Sequence, residues 1–304
     1  MKRPIILQAA VLCLAFAAVT ALFTARISSA DQGGAFNDSL VSPVRIAAMA
    51  NGPLLVTDYG TGSVCMVNRN TLRVLRCFSV EGRPLGVAWS PGRVFVGDET
   101  TGNVAVYNPG GKRLFSFGGN GSVNVPGDMA VDMQSGKLFV VDTADGNIKI
   151  FDLEGRWLST ITGDAAGSGK LVNPVAIAVD PVRGEVLVSD YGDPAASYPA
   201  RIRIYDYAGN FVLALSGKTG GFSRPQGLNV AFDRIFVADA MLGQVLVFDR
   251  STLAKVRTLG TFGTGPGKLM LPLDVAVDGG TGDVYVTNNR AGRVERFEKG
   301  GLTP

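Results

Sequence analysis

The chain has 304 residues, 46% apolar and 18% charged, with 40 glycines, 15 prolines, three cysteines and no histidine. So little charge beside so much apolar sequence excludes a disordered chain, and the glycine count points to a turn-rich all-β domain. The missing histidine excludes Ser-His-Asp and Cys-His catalysis and histidine-ligated zinc or haem, and three cysteines are too few for a disulfide-built scaffold.

Lys2 and Arg3 precede an apolar run from Ile5 to Phe23, and small residues follow down to Ser28-Ser29-Ala30. This is the pattern of an export signal spanning 1–30, cleaved after Ala30. Cleavage after Ala21 is the alternative, and the run is also long enough to stay as an uncleaved membrane anchor. Cys13 follows Leu12, where a lipoprotein signal has a small residue, so it is not read as a lipidation site. Removing residues 1–30 takes away three of the 29 basic residues and none of the 26 acidic ones, so the formal charge of +3 falls to zero. No basic run elsewhere supports nucleic-acid binding. The expected mature chain, 31–304, is periplasmic or extracellular and monomeric, and it meets a membrane only if the leader is kept.

A proline leading a short apolar strand recurs at Pro43, Pro84, Pro126, Pro174, Pro225 and Pro272. About fifteen residues after each comes an apolar run with a polar end: LLVTD (Asp58), VFVGD (Asp98), LFVVD (Asp142), VLVSD (Asp190), IFVAD (Asp239) and VYVTN (Asn288). A third run follows, as in NIKIFD (147–152) and RIRIYD (201–206), and a fourth closes most units, as in RLFSF (113–117). Each unit therefore reads as four short strands with period-2 alternation and Gly, Asn or Asp at the turns. Four strands cannot bury both of their faces alone, so the units must stack around an axis. The expectation is a single six-bladed β-propeller of four-stranded antiparallel blades. The sixth unit supplies only three strands, so the fourth is expected from the N-terminal side, either LFTARIS (22–28) or residues 31–40.

RPLGVAWSPGRVFVGDETTGNVAVYNPGGKRLFSFG (83–118), VPGDMAVDMQSGKLFVVDTADGNIKIFDLEG (125–155) and LPLDVAVDGGTGDVYVTNNRAGRVERF (271–297) resemble NHL repeats. The resemblance extends over about residues 40–298 in six copies. It implies the propeller fold and leaves function open, because NHL proteins include enzymes, sensor domains and binders of RNA or protein. Bacterial members are often exported and encoded beside other envelope proteins, which is family context only; the expected function is a non-catalytic binding or scaffolding protein that meets an envelope or exported protein partner through its loop-rich face. The competing reading is a calcium-dependent, lactonase-like hydrolase with its cation at the channel mouth. The family's amidating lyases need histidine ligands, which this chain lacks.

The carboxylates that end the second strands recur in nearly every unit, as structural groups do. An Asp there accepts hydrogen bonds from nearby turn amides. Departures from the repeat are the better functional candidates. Two residues after each proline, where NHL repeats usually have glycine, stand Arg45, Gly86, Asp128, Ala176, Gly227 and Asp274. Asp128 and Asp274, on opposite blades, are expected to face each other across the channel mouth as solvent-facing carboxylates, with Arg45 beside Asp274. They are the candidate ligands if calcium binds there; otherwise no cofactor is expected.

The fourth unit has gained six residues between its second and third strands, the segment YGDPAASYP (191–199), which offers Tyr191, Asp193 and Tyr198 on the face of the proline-led loops. Arg83 and Arg224, just before the prolines of units 2 and 5, are further contacts on that rim. GDAAGSGKL (163–171) and GTGPGKLML (263–271) lack the phosphate-loop spacing and its hydroxyl, so phosphate binding is rejected. Cys65 and Cys77 fall on one face of a hairpin, either directly opposed and bridged or diagonal and free.

Overall fold

The computed structural model describes residues 40–119, 121–163 and 171–299. The expected export signal, the strand candidate 22–28, residues 31–39 and residues 164–170 of the first glycine loop lie outside the described residues. Blade 1 comprises β1 (Pro43–Ala48), β2 (Leu54–Asp58), β3 (Ser63–Val67) and β4 (Val74–Ser79). Blade 2 comprises β5 (Pro84–Ser90), β6 (Arg93–Asp98), β7 (Asn103–Tyr107) and β8 (Arg113–Gly118). Blade 3 holds β9 (Pro126–Asp132), β10 (Lys137–Asp142), β11 (Asn147–Asp152) and β12 (Trp157–Ile161). Blade 4 holds β13 (Pro174–Asp180), β14 (Glu185–Asp190), β15 (Arg201–Asp206) and β16 (Phe211–Ser216). Blade 5 is built from β17 (Pro225–Ala231), β18 (Arg234–Asp239), β19 (Gln244–Asp249) and β20 (Lys255–Leu259). A short parallel pair, β21 (Thr261–Phe262) and β22 (Lys268–Leu269), leads into blade 6, whose described strands are β23 (Pro272–Val277), β24 (Val284–Asn288) and β25 (Arg293–Phe297). Within each blade the strands pair antiparallel in chain order.

The six proline-led strands lie innermost, each against the next, and β1 packs on β23, so the ring is closed. The chain is an all-β, six-bladed propeller, as its repeats require.

Strand alternation explains where the core sits. On β2, Leu54 and Val56 pack towards blade 6, with Tyr285 and Val294, while Leu55 packs towards blade 2, with Val87 and Val94. The same division recurs around the ring, giving six apolar clusters, one in each seam between neighbouring blades. No blade has a core of its own; the apolar area removed from water belongs to pairs of blades.

The strand-ending carboxylates hold the loops. Asp58 accepts from the amides of Val41 and Ser42, Asp142 from Asn124 and Val125, Asp190 from Val172 and Asn173, and Asp239 from Ser223 and Arg224. The next residue then donates its amide back to the carbonyl before the proline, from Tyr59 to Ser42 through Asn289 to Leu271, in all six blades. These bonds place the turn between the second and third strands against the proline-led loop, on one face of the disc.

Cys65 and Cys77 are direct partners on β3 and β4, with Cα atoms 4.0 Å apart, and are joined as a disulfide. The opposed register is the one that permits the bridge.

Candidate functional site

Directly after its proline, each inner strand carries a register shift against the second strand. Such a bulge bends the strand and re-aims a side chain. Here it turns the residue two after the proline towards the axis. The consequence differs from the sequence expectation: Arg45, Asp128 and Asp274 are only 5%, 4% and 4% exposed. They form a buried plug beneath the loop face and do not present solvent-facing groups at its mouth.

Arg45 is the centre of the plug. From blade 1 its guanidinium donates to the carbonyls of Gly127 on blade 3 (3.2 Å), Val175 on blade 4, Gln226 on blade 5 and Leu273 on blade 6 (3.2 Å). It also stands 3.7 Å from Asp128 and 3.8 Å from Asp274. The positive charge between the two carboxylates is therefore the protein's own. A calcium ion would have to displace a guanidinium bonded to four blades. Each carboxylate clasps the following blade: Asp128 accepts from the Ile177 amide (3.0 Å) and Asp274 from the Ile46 amide (2.9 Å). Gly227 makes this possible on blade 5, since a Cβ there would lie 2.4 Å from the Asp274 Cα.

Burial raises the pKa of Asp128 against the pull of Arg45. Asp274 is pushed up from 3.8 to about 8 by burial and by the neighbouring Asp128. One guanidinium thus faces two carboxylates that favour sharing a proton. The folded state binds that proton more tightly than the unfolded chain, so its contribution is complete in acid and is lost as the pH climbs from about 4 to about 8. Asp274→Asn is expected to flatten this part of the stability profile, as measured by urea unfolding across that range. An unchanged slope would contradict the assignment.

Beyond the plug, the inner strands enclose a cavity of about 210 Å³ extending away from the loop face. Its wall includes a ring of alanines, Ala47, Ala88, Ala130, Ala178 and Ala276, broken by Asn229 on blade 5. Among the described residues no group of three or more acidic, cysteine or histidine side chains is placed to hold a metal.

The other candidates lie on the loop face. Tyr191, Gly192 and Asp193 begin the blade 4 excursion, a 3-10 turn follows at Pro194–Ala196, and Tyr198 pairs back to Asp193. The Asp193 carboxylate accepts from the amides of Ala195 and Ala196, so it shapes the loop from within. Tyr198 is 41% exposed at its tip. Arg224 of blade 5 lies over the Tyr191 ring at 5.6 Å, and Arg83 of blade 2 lies over Tyr59 of blade 1 at 5.5 Å. The two Tyr–Arg pairs are three blades apart. At the first, the Tyr59 hydroxyl donates to Glu99 (2.7 Å) and accepts from Arg83 (2.9 Å). Burial and Glu99 push that hydroxyl up to about 12. Tyr191 is likewise raised by burial, with Arg224 opposing.

Sequence reasoning picked out Arg83, Arg224 and Tyr191 singly and missed Tyr59 and Glu99. Aligning the residue before each proline with the residue after each strand-ending Asp would have shown arginines in units 2 and 5 and tyrosines in units 1 and 4. It also missed the opposite face, where Met133, Val182 and Phe232 are exposed on the inner turns of blades 3, 4 and 5. There Phe232 and Asp233 both have positive φ, 51° and 56°, an uncommon conformation for a bulky side chain.

No protein-family model matches this sequence, and no curated protein matches it. Among solved structures, a Kuenenia stuttgartiensis hydrazine synthase chain superposes with a TM-score of 0.62 at 13% identity, over 89% of this chain and 99% of that one. A likeness at that identity carries the fold and no activity. What the repeats, the ring and this neighbour establish together is a β-propeller of six blades.

Proposed function

We propose that this chain is an exported, non-catalytic member of the NHL-repeat proteins that binds a protein partner of the cell envelope through its loop face. The observation carrying this reading is the blade 4 excursion. It is a folded protrusion on a rigid ring, with the exposed Tyr198 at its tip and the stacked Tyr191–Arg224 pair at its base. Aromatic and arginine side chains on loops held by a stiff scaffold are characteristic contact residues. The basic and apolar N-terminal segment and the Cys65–Cys77 disulfide agree with an oxidising destination.

The test is affinity capture from the native exported fraction, with wild type and a Tyr198→Ala/Arg83→Ala variant as parallel baits and their melting temperatures compared first. The expected outcome is a partner held by the wild type and lost from an equally stable variant. Capture of nothing by the wild type would contradict the reading.

A further inference from the structure

The two Tyr–Arg pairs are built alike and completed differently. At the seam of blades 1 and 2, Arg83 donates to the Tyr59 hydroxyl, and that hydroxyl donates to the carboxylate of Glu99, the residue that follows the strand-ending Asp98. At the seam of blades 4 and 5 the corresponding residue, after Asp239, is Ala240. Arg224 has no ion pair among the described residues, and its Nε is buried without an acceptor. Two more side-chain atoms in this region are buried and unpartnered: Ser189 Oγ on β14 and Gln226 Nε2 on β17, strands that pack on each other across the seam. Five such atoms occur among the described residues, and three belong to these two strands and the residue before β17. Buried donors left open together call for an acceptor.

We propose that the seam of blades 4 and 5, at the base of the excursion, is a binding site for a carboxylate. The ligand's carboxylate takes the place that Glu99 holds in the other seam. It accepts from the Arg224 guanidinium, a planar donor suited to that group. Tyr191 stacks beneath the guanidinium and keeps it presented. The ligand is an acidic side chain of a protein partner or a free organic acid, and the chemistry is shared. The inference deepens the binding reading and rests on it only for the source of the carboxylate.

The Arg224 Nε–Hε resonance, assigned through its loss in Arg224→Ala, reports on the site. The probes are succinate and a blocked glutamate tripeptide, with the glutamine tripeptide as control. Both acidic probes are expected to shift that resonance, with the peptide tighter if a protein is the source and succinate tighter if it is a metabolite. Arg224→Ala lacks the reporter, so its affinity is read by calorimetric titration beside the wild type, and it is expected to weaken binding about ten- to a hundredfold. Ala240→Glu, which supplies the missing carboxylate internally, is expected to abolish binding, whereas Arg156→Ala, at an exposed arginine of blade 3 paired with Asp152, leaves it unchanged. No shift with either acidic probe, or equal binding by wild type and Arg224→Ala in the titration, would overturn the inference. Partner capture that survives both Arg224→Ala and Ala240→Glu would overturn it while leaving the scaffold reading in place. Probe binding with no captured protein would do the reverse.

Discussion

Arg45→Met is expected to lower the stability of the folded ring by about 3–5 kcal/mol, the usual cost of removing one partner from a buried ionic cluster. The substitution keeps most of the apolar stem and removes the charge. It strips hydrogen bonds from carbonyls on blades 3, 4, 5 and 6 and leaves Asp128 and Asp274 buried together without their cation. Charge reversal at Asp128 and Asp274 is expected to be at least as damaging, because both side chains are buried and each holds an amide of the next blade. The triple variant Arg45→Met/Asp128→Asn/Asp274→Asn should recover part of the loss, since it leaves no uncompensated charge. Chemical denaturation of the three proteins decides the matter. Arg45→Met unfolding at the wild-type midpoint would show that the plug contributes nothing to ring closure.

Reduction of the Cys65–Cys77 bridge is expected to cost about 3 kcal/mol, the magnitude for closing a loop of this size. The bridge spans 12 residues and ties the outer strand of blade 1 to the strand beside it. Cys65 lies in the seam with blade 6, among Leu54, Val56 and Tyr285, so loosening this hairpin exposes the closing seam of the ring. Cys77 stands on the exposed β4, open to a reductant. Urea unfolding with and without dithiothreitol measures the effect, and Cys65→Ser/Cys77→Ser provides the chemical control. Coincident curves would contradict a stabilising role.

Much of the fold was legible because a propeller repeats its signals. A proline, an alternating strand and a polar strand end recur six times, and each has a local physical cause in turn geometry and period-2 burial. The structural role of the strand-ending carboxylates could be read for the same reason. The axis was harder. Arg45, Asp128 and Asp274 stand out as departures from the repeat, but their burial depends on a bulge after each proline and on an arginine long enough to reach four other blades. Neither follows from the alternation. The Tyr–Arg pairs escaped notice because each is assembled from two successive units, and reading one unit at a time hides a contact across a seam.

Binding through the loop face and binding through the opposite face are separated by one comparison. Residues 191–200 are replaced by the short turn that blade 3 has at 143–146, and capture by this protein is set beside capture by a Met133→Ser/Phe232→Ser variant of the opposite face. The partner is expected to be lost from the shortened-loop protein and retained by the opposite-face variant. Retention by the first and loss by the second would put recognition on the other side of the disc and refute a loop-face site.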